Sequence, residues 1–218
     1  MSSRGAVAEA RASMVERQLR RRGITDERVL DAMARVPREL FVPESVRSFA
    51  YDDGAIPIGH GQTISQPFVV ATICSLLAPD VDERVLDVGT GSGYQAAVLA
   101  ELAAEVVTIE RIPALAETAR EALADAGYAN VQVRIGDGSL GVPERAPFAG
   151  IAVAAAAPTV PSALYAQLGE GGRIVVPRGT RRGQDLVLVT RTPAGPVERR
   201  SIPCRFVPLL GDEGFGQD

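Results

Sequence analysis

From residue 84 onward the chain alternates short, near-continuous apolar runs with segments of helical spacing. RVLDV, EVVTIE, VQVRI, GIAVAA and GRIVVP read as strands, and residues 92–101, 113–126 and 161–168 read as helices between them. Strands built almost wholly of Val, Ile and Leu belong to a parallel sheet covered on both faces, because neither face meets water. The pattern therefore predicts a doubly wound α/β fold. The last two runs, DLVLVT and RRSIPCRFVPL, have only GPVERR-type turn material between them. With no helix to cross over, they predict an antiparallel hairpin at the end of the sheet.

Ahead of the sheet the period is helical. Ala12, Val15 and Leu19 share one face of a helix over residues 8–22, which Gly23 stops. Thr25 is the expected N-cap of a second helix, with Asp26 and Glu27 in its first turn and Val29, Leu30 and Met33 on its apolar face. Pro37 ends it. Residues 1–60 thus form an N-terminal helical layer, and 61–83 hold the polar segment GQTISQP followed by the apolar run FVVATICSLL of a buried helix. Residues 84–218 carry the sheet, and all three stretches are read as one domain.

Composition narrows the setting. A chain of 218 residues with 46% hydrophobic and 23% charged residues suits one core. No apolar run approaches the roughly 18 residues of a membrane span. The polar N-terminus lacks the apolar block of a secretory signal, so the expected location is the cytoplasm, as a monomer with no membrane partner. Cys74 and Cys204 have no second Cys or His at metal-ligand spacing and are read as reduced packing residues, with no metal. A net charge of −4 offers no general attraction to nucleic acid. The basic cluster Arg20 to Arg22 closes a helix, where cations favour the C-terminus.

The chemistry lies at the strand ends. LDVGTGSGY at 86–94 joins the first sheet strand to its helix through Gly89, Gly91 and Gly93, which let backbone amides come close to a ligand. The spacing is GxGxG, whereas a dinucleotide turn reads GxGxxG. Asp87 places a carboxylate where a pyrophosphate would otherwise sit, which suits a cationic ligand. Glu110 ends the second strand at the position that bonds ribose hydroxyls in nucleotide sites. In GDG at 136–138, Asp137 and Gly138 follow the third strand, with Asp137 free to bind an adenine amino group. A ligand with an adenosine and a positive charge is S-adenosylmethionine.

Together GQTISQPFVVA, VLDVGTGSGYQAAVLA, VVTIER, GDG, LGEGGRIVVPRG and FVPLLGDEGF resemble the protein-L-isoaspartate (D-aspartate) O-methyltransferases. DERVLDAMARVPRELFVPE extends the likeness through the helical layer. The resemblance implies the class I, Rossmann-like methyltransferase fold, with a mostly parallel seven-stranded sheet. It further implies that GQTISQP lies over the cofactor, with Thr63 among the cofactor-binding residues and Ser65 as the catalytic residue. Substrates would be damaged proteins and peptides, methylated on the free carboxylate of an L-isoaspartyl residue or on the side chain of a D-aspartyl one. The ester then closes to a succinimide without the enzyme, and S-adenosylhomocysteine is the other product. That acceptor is already ionised at neutral pH, so orientation by a hydroxyl suffices and no general base is needed. His60, the only histidine, is read as a loop residue at the rim. Helix capping is the alternative role for Ser65, and CRFVPLLG is the candidate wall of a peptide site.

Some residues depart from the family's pattern. Ala149 and Gly150 stand where Asp-Ala is usual, Ala154 where Thr is common, His60 where Tyr is usual, and Asp87 where Glu is frequent. They predict altered local packing. Four other readings compete. Carboxyl methylation of a dedicated peptide would use the same Ser65. A non-catalytic S-adenosylmethionine binder is disfavoured by the intact GQTISQP. Amine or nucleobase methylation is disfavoured by the loop AAAAP and the acidic charge, and a nicotinamide oxidoreductase by the glycine spacing and Asp87.

Overall fold

The computed structural model describes residues 3–216. Helix α1, Ser3–Met14, continues through a π turn at Val15–Leu19 and a 3-10 turn at Arg20–Arg22. Gly23 then stops it at φ 98°, a left-handed conformation that glycine adopts without strain. Helix α2 spans Glu27–Arg35, and its N-cap is Asp26, one residue later than the expected Thr25. The Asp26 carboxylate accepts from the backbone N–H groups of Arg28 and Val29, a reach that Thr25 would not have from outside the first turn. Val29, Leu30 and Met33 are buried as their spacing predicts.

Two short strands, β1 at Ile56–Gly59 and β2 at Gln62–Ile64, pair antiparallel as a small hairpin. His60 and Gly61 form its tip with positive φ. Helix α3, Pro67–Leu77, follows and is buried along most of its length. From there strands and helices alternate: β3 Arg84–Val88, α4 Tyr94–Ala100, β4 Glu105–Glu110, α5 Pro113–Asp125, β5 Val131–Ile135, β6 Phe148–Val153 and α6 Ser162–Ala166. Strands β7 Leu168–Thr180, β8 Gly183–Thr192 and β9 Gly195–Cys204 finish the sheet.

The seven strands lie in the order β5-β4-β3-β6-β7-β8-β9, parallel through β7 and antiparallel over β7-β8 and β8-β9. The expected terminal hairpin is present, with one correction. GPVERR is not turn material but the first half of β9, and the turn is made by Pro193 and Ala194. The strand also ends at Cys204, so Phe206 to Leu209 run on as an irregular segment that bridges to Ala156.

Alternate strand residues feed two cores. Val85, Val106, Ala152 and Val175 pack toward the helical layer, and Leu86, Val107, Ile151 and Ile174 pack toward the opposite face. The first core also takes in Leu30 and Met33 of α2 and Ile73 and Leu77 of α3, so residues 27–77 and the sheet share buried contacts. No helix among the described residues is long and apolar enough to cross a membrane.

The departure at Gly150 has a packing reason. A Cβ there would lie 2.8 Å from Cγ of Leu77, which is itself fully buried. Gly150→Ala is therefore expected to destabilise the fold by about 1–3 kcal/mol, the cost of overpacking a closed core. Chemical denaturation measures it, and a Gly150→Ala, Leu77→Val double variant should recover part of the loss.

Candidate active site

The sheet order reverses at β3, which has β4 on one side and β6 on the other. Open α/β sheets bind ligands outside the carboxyl ends of strands at such a switch point. A cleft opens there, lined from the β2 segment, the glycine turn and the strand ends. Val88 and Glu110 close β3 and β4, and the glycine turn, the β2 segment and the stretch from Val207 to Leu210 supply the other walls.

The glycine turn behaves differently from the expected amide cradle. Gly89, Gly91 and Gly93 all take positive φ, which confines the turn to glycine at those positions. The N–H groups of Gly89 and Thr90 donate to the Ile109 carbonyl, and that of Gly93 donates to the Thr90 carbonyl. The Gly91 N–H donates to Oε2 of Glu110 at 2.9 Å. These amides are thus occupied inside the protein. Among the described residues, the carbonyls of Gly89 and Gly91 have no such partner. With those four donors occupied and the Gly89 and Gly91 carbonyls free, the turn suits an ammonium or sulfonium better than a phosphate.

Glu110 lines the cleft with its second oxygen accepting the Ile112 N–H at 3.0 Å. The carboxylate bridges the glycine turn and the start of α5, and its remaining lone pairs are available to hydroxyl donors. Glu110→Ala would unpair both amides and remove that acceptor. The expected result is at least a tenfold loss of S-adenosylmethionine affinity by calorimetry, with Glu110→Gln milder because it keeps one acceptor oxygen.

Asp87 does not line the cleft. Its fully buried carboxylate lies beneath the turn, accepting from Nε2 of Gln95 at 2.7 Å and Oγ1 of Thr108 at 2.8 Å. Thr108 in turn bonds Thr90 at 2.7 Å, so the acid is wired to the turn from below. Burial pushes its carboxyl up to about 6, against the pull of the Gln95 and Thr108 bonds.

Asp137 is likewise engaged within the protein. Its carboxylate accepts from N–H and Oγ of Ser139 and from the N–H of Asp212. Partial burial works against its charge, but those bonds outweigh it and hold the carboxyl below the usual range. Asp137 thus pins the C-terminal segment 209–215 beside the cleft, in a shallow groove that also holds Arg111. Gly138 does line the cleft, and a Cβ there would come within 2.7 Å of Val88.

Thr63 and Ser65 face the cleft from β2 and the residue after it. Both also line a second groove, whose other walls include Ala55, Gln66 and Val69 and the stretch from Pro203 to Val207. CRFVPLLG therefore contributes to both cavities, and Ser65 stands where they meet. Ser65 is not the helix cap. That position belongs to Gln66, which makes no side-chain capping bond, and the Ser65 hydroxyl has no protein partner among the described residues.

Two arginines of the helical layer fix this segment. Nη2 of Arg38 donates to the Ser65 carbonyl at 2.8 Å. Arg22 pairs with Asp53, which accepts from Nε2 of Gln66 at 2.7 Å. His60 is exposed at the hairpin tip and lines neither cavity.

Sequence reasoning missed Thr108, Gln95 and Arg38. Thr108 left a trace: it is the one polar residue inside EVVTIE, and the register sets it opposite Asp87. Arg38 left none, since only the fold brings it to Ser65.

The sheet order, its antiparallel end and the cleft at the β3 switch point define a class I S-adenosylmethionine-dependent methyltransferase. Within that class the chain belongs to the protein-L-isoaspartate (D-aspartate) O-methyltransferase family, whose model matches residues 9–214. It is 56% identical over 211 residues to protein-L-isoaspartate O-methyltransferase 2 of Marinobacter nauticus, covering 96% of each chain. It is similar to a solved protein-L-isoaspartate O-methyltransferase, with 31% identity and a TM-score of 0.85 over 94% of this chain and 67% of the other. A third likeness, with 26% identity and a TM-score of 0.80, covers 92% of this chain and 98% of a Plasmodium falciparum protein. That structure is titled as a putative protein-L-isoaspartate O-methyltransferase in complex with S-adenosyl-L-homocysteine.

Proposed function

We propose that the chain methylates the free carboxylate of L-isoaspartyl residues, and of D-aspartyl ones, in damaged proteins and peptides. The observation that carries the residue assignment is the position of Ser65. Its unpartnered hydroxyl lies at the junction of a cleft suited to S-adenosylmethionine and a groove open to a peptide.

The cleft fits that cofactor by its own chemistry. The apolar side chains of Ile109, Ile112 and Leu209 suit a base, Glu110 suits ribose hydroxyls, and the Gly89 and Gly91 carbonyls suit the ammonium. Gly93 shapes the turn, Gly138 lets the base approach, Thr63 flanks the methionyl end, and Asp137 holds the segment that walls the base. When bound, S-adenosylmethionine supplies an electrophilic methyl group that a carboxylate oxygen accepts as the carbon–sulfur bond breaks. No proton moves, so the chain needs no base. Its work is to orient the carboxylate through the Ser65 hydroxyl and to exclude water with the Val207 to Leu210 wall.

The groove's polar lining comes from Thr63, Ser65, Gln66 and Arg205, and Arg205 is its one formal charge. That sparse set suits recognition of many peptide sequences through the carboxylate and backbone. The chain is read as a monomer acting as one domain, with cleft and groove side by side at Ser65. A net charge of −4 supports protein and not nucleic acid as the partner, and free thiols at Cys74 and Cys204 are in keeping with the cytoplasm.

The test uses labelled S-adenosylmethionine and paired peptides that differ only in L-isoaspartyl against L-aspartyl at one site. Base-labile label on the isoaspartyl peptide alone is the expected result. Label on neither peptide, with cofactor bound, would point to a dedicated substrate or a non-catalytic binder.

A further inference from the structure

Arg38 lies just after α2 and is completely buried. Its Nε donates to the Ala50 carbonyl at 2.7 Å, and its Nη2 donates to that of Ser65. Its guanidinium sits 4.6 Å from the ring centroid of Tyr94, and its Nη1 has no partner. Among the described residues no carboxylate pairs with it; the titratable groups that act on it are the phenols of Tyr94 and Tyr51. Burying a guanidinium without a counter-ion is costly, and a guanidinium keeps its proton in proteins. A whole positive charge therefore stands, uncompensated, directly behind the residue at the junction of the two cavities.

The placement is paired. Tyr94, under Arg38, is followed by Gln95, which holds the Asp87 carboxylate. Adjacent residues at the start of α4 thus carry a buried cation on the side of Ser65 and a buried anion beneath the glycine turn.

We infer that Arg38 is a positioning residue for the acceptor: it fixes Ser65 through its carbonyl, and its unpaired charge selects an ionised carboxylate over a neutral group in the groove. The inference rests on the function proposed above. Methylation neutralises the acceptor, so the attraction is strongest for the bound carboxylate and fades toward the ester. Arg38 accordingly acts on acceptor binding more than on turnover, and it favours departure of the neutral product.

The test first requires that the wild-type protein methylate an isoaspartyl peptide; without that, the functional reading falls and this inference falls with it. Two peptides are then compared at saturating S-adenosylhomocysteine, identical except that the free α-carboxylate is a carboxamide in the second. The wild-type protein should prefer the carboxylate by about tenfold or more. Arg38→Lys keeps the charge and gives up the fork, and it should keep most of the preference. Arg38→Gln keeps a donor for the Ser65 carbonyl and loses the charge. Its preference should fall at least about threefold below that of the wild type, with Arg205 in the groove lining supplying what remains, and affinity for the carboxamide peptide and for S-adenosylhomocysteine should be little changed. A purely structural role would weaken both peptides together. Equal wild-type affinities, a preference that survives undiminished in Arg38→Gln, or one lost as fully in Arg38→Lys would overturn the inference. If Arg38→Gln does not fold, Arg38→Met, of similar length and uncharged, supplies the charge-removed comparison and is read by the same criteria.

Discussion

Ser65→Ala is expected to lower kcat/KM for an isoaspartyl peptide by about a hundredfold, the scale of rate lost when a reacting group is no longer held in its attacking geometry. The cofactor should bind it as it binds the wild-type protein, within about twofold, since the cleft keeps its turn, Glu110 and the C-terminal wall. Stability should also hold. The hydroxyl has no protein partner to lose, and the bond from Arg38 runs to the backbone carbonyl, which alanine retains. Ser65→Thr keeps a hydroxyl and should recover part of the activity if the added methyl finds room in the groove. Single-turnover kinetics with saturating cofactor separate orientation from binding. Turnover of Ser65→Ala equal to that of wild type would remove the hydroxyl from the reaction.

What could be read before the fold was seen follows from the physics of each feature. Near-continuous Val, Ile and Leu runs such as RVLDV and EVVTIE are legible because a strand buried on both faces has no room for polar alternation. The internal hydrogen bonds of Asp87 and Asp137 were not legible, because sequence gives position along a strand end and not side-chain direction. The alternation that puts Glu110 into the cleft also puts Thr108, two residues earlier, on the same side of β4 and within reach of Asp87. The occupied amides of the glycine turn were illegible for a related reason: their acceptors, the Ile109 carbonyl and the Glu110 carboxylate, lie on the neighbouring strand. Arg38 is separated from Ser65 by 27 residues, and no local pattern couples them.

Binding of S-adenosylmethionine should strengthen as pH rises from about 5 to 7.5, and Asp87 supplies the reason. An acid whose folded-state carboxyl is raised from 3.8 to about 6 is protonated in both folded and unfolded chains below about pH 4 and contributes nothing there. Above about pH 6 it is ionised in both, and the folded state bears the cost of a buried charge, on the order of 3 kcal/mol for a shift of this size. The free protein should therefore lose stability as pH rises through that window. A cationic ligand over the glycine turn favours the ionised form, so binding releases a proton below about pH 6 and the affinity falls there by about tenfold per unit of downward shift in the complex. Asp87→Asn removes both effects. Its free form should melt no lower than the wild type at pH 7.5, while its affinity for S-adenosylmethionine falls about tenfold or more and becomes flat with pH. Calorimetry across buffers of different ionisation enthalpy reads the released proton directly. Equal affinity of wild type at pH 5 and 7.5, or the same pH slope in Asp87→Asn, would show that this buried acid does not govern the charge seen by the cofactor.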